Sequence, residues 1–342
     1  MTQPASILRV DPPCGIPGGE VSIDCSNLDT SIPTECAVWF NEVEASIVAL
    51  GSNRILAVVP ELKRGGEVTV RLKNGTRISE PHAFEYAQKL AEDLHPVTNP
   101  AVDPDDGSIF VTRSGPRGEQ LPVTLFQIDL DGNVSEFSGD ITNPTGIAFD
   151  QSGEMFVTSR LDGTVYRVTP FKESMPFAAN LGIATGIAFN AAGVMFVGDR
   201  SGTIFRINGV GEEQSWAQLE PSVSAYHLAF GPDDSLYVTG PTLTSFDSIY
   251  RIDADRNVSV FYKGLGRPQG LAFDVDGNLY LAASLSGRRG IVRIDPAGTR
   301  AEIFAAGMNL VGMAFTANGD LIVASNDSLY RLSVGIQGLL PR

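Results

Sequence analysis

Hydrophobic and polar positions alternate along most of the chain. Near the start, Val21, Ile23 and Cys25 alternate with Ser22 and Asp24, and short apolar runs follow at 37–40, 55–59 and 68–72. A period of two over short stretches predicts half-buried β-strands, because successive side chains of an extended backbone face opposite sides. Pro17-Gly18-Gly19 and Lys73-Asn74-Gly75 supply turn chemistry between the runs. Residues 5–87 therefore read as a small two-sheet β-sandwich.

Beyond residue 95 the pattern becomes a repeat. Ala101-Val102-Asp103, Ala148-Phe149-Asp150, Ala188-Phe189-Asn190, Ala229-Phe230-Gly231, Ala272-Phe273-Asp274 and Ala314-Phe315-Thr316 recur at intervals of 47, 40, 41, 43 and 42 residues. The fifth copy shows the unit clearly: apolar runs at 270–273, 279–282, 291–294 and 301–304, the first two separated by Asp276-Gly277-Asn278. Short strands at this period predict a six-bladed β-propeller. The last copy runs only through a third strand at 329–332, whereas residues 86–91 resemble the end of a copy. They are predicted to supply the missing outer strand, which would close the ring and cover an open edge. The expected architecture is all-β: a sandwich over 5–87, a propeller over 88–334 with its closure strand beginning near 86, and a tail over 335–342.

Composition narrows the partners. The 342 residues have mean hydropathy +0.03, 43% hydrophobic and 19% charged residues, which fits a folded protein. Net charge is -15; residues 1–90 hold 11 acidic and 8 basic residues, leaving -12 for the rest. Such a field repels phosphate backbones and anionic bilayers, so neither nucleic acid nor membrane is an expected partner. The first residues, Met1 to Ser6, lack a basic segment feeding an apolar run, which predicts a cytoplasmic chain. A secreted chain with its leader already removed has the same appearance. Cys14, Cys25 and Cys36 fit buried thiols, or one bridge and a free thiol, better than a disulfide framework.

Two resemblances add to this reading. The order Ile7, Val10-Asp11-Pro12, Gly18-Gly19, Val21-Ser22-Ile23, then Val38-Trp39-Phe40, Val58-Val59-Pro60 and Phe84-Glu85-Tyr86 resembles an IPT/TIG immunoglobulin-like domain. Cys25 stands where that family commonly has glycine. The resemblance implies a spacer or docking module. Pro268-Gln269-Gly270-Leu271-Ala272-Phe273-Asp274 with Gly277-Asn278-Leu279-Tyr280-Leu281 resembles the NHL and SMP-30/gluconolactonase-like six-bladed propellers over about residues 95–333. That group includes lactone hydrolases, lyases and protein-binding rings, so the resemblance implies a fold and leaves activity open.

Strand direction selects the residues to inspect. The loops before each first strand and after each second strand share one face beside the channel, called here the top face. Positions before first strands include Asn99, Asn143, Thr145, Thr185, Tyr226, His227, Arg267, Gln269 and Asn309. Positions after second strands include Arg113, Ser159, Arg160, Asp199, Arg200, Ser284, Asn326 and Asp327. His227 replaces the glycine found at Gly146, Gly186, Gly270 and Gly312; its imidazole is a candidate base or metal ligand, or else packs against a neighbouring loop. Arg113, Arg160 and Arg200 occupy matching positions, with Arg267 and Arg288 as possible neighbours. They form a candidate carboxylate or phosphate site unless Asp140, Asp162 and Asp199 neutralise them. Arg167, Arg206, Arg251, Arg293 and Arg331 recur on third strands and read as architectural.

No metal is assigned. The gluconolactonase resemblance implies a divalent cation held by Glu, Asn and Asp, yet Pro144-Thr145-Gly146, Ala184-Thr185-Gly186, Pro268-Gln269-Gly270 and Leu310-Val311-Gly312 lack a carboxylate. Glu92 falls on the predicted outer strand, and Asp199 with Asn143 offers too few oxygens for calcium. His82, His95 and His227 lie in different regions, which argues against a histidine zinc site. The expected function is thus a binding or scaffold propeller. Its top face would engage a protein, peptide or small anionic ligand through Arg113, Arg160, Arg200, Tyr226, Arg267 and Gln269. The alternative is a lactonase-like hydrolase or lyase, with calcium as its cation, in which His227 moves a proton, Arg200 stabilises developing charge and Asp199 assists.

Overall fold

The computed structural model describes residues 5–244 and 246–340. It is all-β apart from one short 3₁₀ turn, Pro33–Glu35. Alternation dictates the N-terminal part. Strands Ser6–Asp11, Glu20–Ser26, Arg54–Val58 and Val43–Leu50 form one antiparallel ladder. Val43–Leu50 also pairs with Cys36–Phe40, which continues through Gly66–Asn74 and His82–Tyr86 to Cys14–Gly15. Both ladders bury Val21, Ile23, Val38, Phe40, Ile55, Val70 and Phe84 in one core. Cys14, Cys25 and Cys36 are free, buried thiols. Burial pushes the Cys14 thiol up to about 12.

The remainder is propeller-like, built from successive antiparallel runs. Three are separate four-stranded sheets that begin with Ala101–Val102, Pro144–Phe149 and Ala184–Phe189. The next two begin with His227–Phe230 and Leu271–Phe273; they join through Leu265↔Leu285 and Gly266↔Ser284 into a larger continuous sheet. The last sheet orders Leu310–Phe315, Asp320–Ser325, Leu329–Ser333 and Gln88–Ala91, so a strand preceding the repeats pairs with the end of the chain. Residues Pro341 and Arg342 of the tail lie outside the described residues.

The repeated Ala-Phe pair has two tasks. Each Phe packs edge-on or tilted against an aromatic ring from the preceding run: Phe110–Phe149, Phe156–Phe189, Phe196–Phe230, Tyr237–Phe273 and Tyr280–Phe315, with centroids 4.7–5.7 Å apart. Such pairs contribute about 0.5–1.5 kcal/mol beyond their buried area. The Ala of each pair faces the centre. Side chains also stitch adjacent sheets there: Thr112, Thr158 and Thr239 donate Oγ1 hydrogen bonds to the carbonyls of Thr145, Thr185 and Gln269 at 2.7, 2.7 and 2.6 Å.

The two parts of the chain touch closely. Ile16 donates its N–H to the Ala306 carbonyl at 2.9 Å, and the Cys14 thiol donates to Phe304 O at 3.2 Å. A Cβ at Gly15 would lie 2.7 Å from Ala306 O, so only glycine admits this approach. Arg288 grips Asp11 through Nη1 to Oδ2 at 2.7 Å and Nη2 to the carbonyl at 2.6 Å. Arg288 therefore pins the N-terminal part and is not a member of the top-face group.

Candidate functional site

Second strands end on the top face, and the turns leaving them place Arg160 and Arg200 at equivalent points of neighbouring sheets. Arg160 donates Nη2 to the Gly115 carbonyl at 2.7 Å, and Arg200 donates Nη2 to the Val223 carbonyl at 2.9 Å. Neither forms an ion pair among the described residues, and the Nε of each is buried without a partner. Burial, followed by the like charges of Arg200 and Arg117, pushes the Arg160 guanidinium below its ordinary value. Asp140 is exposed and forms no ion pair among the described residues, and the other two acids expected to neutralise this group are otherwise engaged. Asp162 accepts from Thr164 N and Tyr166 Oη at 3.1 and 2.7 Å. Asp199 accepts from Ile183 N at 2.8 Å and from both Ser201 donors.

The long connection 113–124 brings Arg117 into range. Asn143, 1% exposed and left-handed at φ 49°, clamps that loop. Its Oδ1 accepts from Gly118 N at 2.7 Å while Nδ2 donates to the carbonyls of Gly115 and Pro116 at 3.0 Å. Arg113 opens the same loop, its backbone N–H donating to Thr124 O at 2.8 Å. The sequence reading missed Arg117, which no repeat position marks. Arg267 is exposed, at φ 48°, and Gln269 is fixed by its backbone, which accepts from Thr239 and donates to Ala282 O at 2.9 Å.

His227 sits elsewhere in character. It is 2% exposed and shares a 3.2 Å hydrogen bond between Nδ1 and Thr98 Oγ1. Burial lowers its pKa to about 4. Asn99 occupies the equivalent position before the first repeat strand; it donates Nδ2 to Leu271 O at 3.0 Å and accepts from Met313 N at 3.1 Å. Thr98 with His227, and Asn99 with the last two repeats, thus brace the centre. Tyr226 is buried beside them, its hydroxyl donating to Glu220 O and its N–H to Thr185 Oγ1 at 3.0 Å. Among the described residues no hydrogen bond joins Asp199, Arg200 and His227 to one another.

The residues do not fit a channel cation. Asn143 and Asp199 spend their oxygens on loop and turn backbone, and Glu92 is exposed and pairs with Lys89 at 3.3 Å. One other group converges among the described residues: Asp93, His95 and Asp327, with ligand atoms within 4.8 Å of one another. Asp93 and His95 are exposed, and the group follows directly on the Gln88–Ala91 strand. Among the described residues no helix is long and apolar enough to cross a membrane.

No protein-family model and no curated protein sequence matches the chain. Solved structures do. An auxiliary nutrient binding protein from Bacteroides thetaiotaomicron aligns with TM-score 0.57 and 14% identity over 96% of this chain and 97% of that one. A gluconolactonase from Xanthomonas campestris aligns with TM-score 0.57 and 15% identity over 72% of this chain and 88% of that one. A catalytically inactive virginiamycin B lyase from Staphylococcus aureus aligns with TM-score 0.53 and 14% identity over 88% of this chain and all (100%) of that one. At these identities the likeness defines a fold, that of the β-propeller proteins. Both binding proteins and enzymes carry it.

Proposed function

We propose that the chain is a binding protein whose top face holds a small anionic ligand, or an acidic group of a partner, against Arg160 and Arg200, with Arg113 and Arg117 on the adjoining loop. In this reading the successive runs count as six blades, Gln88–Ala91 closes the last of them, and the two N-terminal ladders form an immunoglobulin-like sandwich that braces the seam. The observation that carries it is a pair of neighbouring guanidinium groups, part-buried and without a carboxylate partner among the described residues, in a protein whose net charge is -15. Uncompensated cations persist at such a spot at a cost, which a bound carboxylate or phosphate would offset through charge-assisted hydrogen bonds. The likeness to a nutrient binding protein over both parts of the chain supports a binding role. The lactonase-like alternative asks a sealed imidazole to exchange protons with substrate, and His227 is held away from solvent by Thr98.

Calorimetric titration of inorganic phosphate and of succinate into wild type and the R160A/R200A double variant tests the reading. Saturable binding by wild type, weakened at least tenfold in the double variant, is expected. Binding that is absent from wild type, or equal in the two proteins, refutes it.

A further inference from the structure

An apolar opening lies at the other end of the channel. A cavity of about 290 Å³ is lined by the methyl groups of Ala148, Ala188, Ala229, Ala272 and Ala314, among others. Four of these (Ala148, Ala229, Ala272 and Ala314) are only half-buried although they lie on innermost strands, because they face open space. Asn99 also lines this cavity, called here the pit. Its mouth lies among the turns that link first to second strands, opposite the arginine group. The tail forms one wall: Leu339 N donates to Phe273 O at 2.8 Å, Val275 N donates to Gln337 O at 3.0 Å, and Leu339 and Leu340 turn inward.

Only one lining residue is charged. Asp234, at the rim, accepts a hydrogen bond from Ala191 N at 3.0 Å and has no basic partner among the described salt bridges. Its neighbour Asp233 is neutralised by Arg251 at 2.8 Å. We propose that this pit is a binding site for an unbranched alkyl chain carrying a cationic head, an alkylammonium, with the chain among the alanines and the head against Asp234. Packed interiors do not leave such space without cost, and an apolar void of about 150 Å³ already accepts benzene. Twice that volume takes a chain of roughly eight carbons. The charge of -12 on residues 91–342 favours a cation at the mouth and disfavours a carboxylate head.

The test titrates octylammonium, octan-1-ol and octanoate into the full-length protein, with butyl- and hexylammonium as a length series. Octylammonium is expected to bind saturably and most tightly, with affinity rising about fourfold per methylene until the pit is full. Ala229→Leu, which fills the pit, should reduce octylammonium affinity at least tenfold. Ala314→Val supplies the same test if A229L does not give a native near-ultraviolet circular dichroism spectrum. Asp234→Asn, on an exposed turn, should remove the preference for ammonium over alcohol while leaving alcohol binding in place. Absence of saturable binding by octylammonium overturns the proposal, as does unchanged affinity in a folded pit-filling variant. Octanoate binding as tightly as octylammonium overturns the assignment of the head group. Because R160A/R200A leaves this end untouched, failure of the anion site would not alter these results.

Discussion

Acidification from pH 7 to pH 5 should destabilise this protein through one side chain. His227 is fully enclosed, and burial lowers its pKa from 6.5 to about 4. The unfolded chain takes up a proton on this imidazole as pH falls through 6.5, while the folded chain resists until about 4. The unfolded state therefore binds more protons throughout that window, so stability is present above the window and drains away as pH falls. The linkage integral for those two values gives a loss of ~2 kcal/mol between pH 7 and 5. Glu85 acts with the opposite sign, because burial raises its carboxyl and its protonation favours the folded state. The useful quantity is accordingly a difference between proteins.

Urea unfolding of wild type and His227→Asn at half-unit pH steps supplies it. Asparagine keeps a polar group facing Thr98 but does not titrate. Wild type should lose about 2 kcal/mol more than the variant between pH 7 and 5. Nuclear magnetic resonance of wild type gives a check that does not depend on the variant folding: one imidazole of the three should keep its neutral chemical shifts down to about pH 4. Parallel stability curves for the two proteins would refute the reasoning, and so would an imidazole set that titrates entirely above pH 5.5.

Two further perturbations probe the packing that places the sites. Gly312→Ala would put a Cβ 2.5 Å from both Cα and Oδ1 of Asn99, and backbone cannot move aside as a flexible side chain can. A loss of about 2–3 kcal/mol in urea unfolding is expected, and a loss below about 0.5 kcal/mol would show that Asn99 does not brace the centre. Arg288→Ala removes two hydrogen bonds to Asp11, but both side chains are about a quarter exposed, at 27% and 26%. Its cost should be about 1 kcal/mol, with faster proteolysis between the N-terminal part and the repeats as the more sensitive readout.

The repeat was legible because Ala and Phe meet separate demands in five of the six copies, with Val102 in place of Phe in the first. A ring must fill the wedge between adjacent sheets, and a small side chain must face the centre, so the pair recurs even though neighbouring positions drift. The arginine group was legible for a similar reason: Arg160 and Arg200 leave their second strands at the same point, and repetition alone brings them side by side. Arg117 was missed because its position depends on Asn143 clamping an irregular loop. His227 stood out as a break in the glycine pattern, but its meaning did not, since Thr98 lies 129 residues away in sequence and meets it only across the ring. The Asp93, His95 and Asp327 group was hidden likewise, because an outer strand from before the repeats brings its members together. The pit left no sequence signal at all. A void arises from volume that the alanines lack, and an alanine lining a cavity is written with the same letter as one in a tight core.

Asn99, Thr98 and His227 brace the centre between the two proposed sites. Asn99 reaches the last two repeats, and His227 closes on Thr98 from the opposite side. A continuous water-filled bore would screen the guanidinium groups at one end and wet the alanine methyls at the other. With the centre braced by neutral groups, each end keeps its own environment. Arg160 and Arg200 remain part-buried and unneutralised on the top face, while Asp234 stands alone at the rim of an apolar pit. The low pKa of His227 belongs to the same arrangement, because a charged imidazole there would need water or a carboxylate that the braced centre does not supply. The residue that departs from the repeat is thus a neutral strut, and the two proposed sites lie on either side of it.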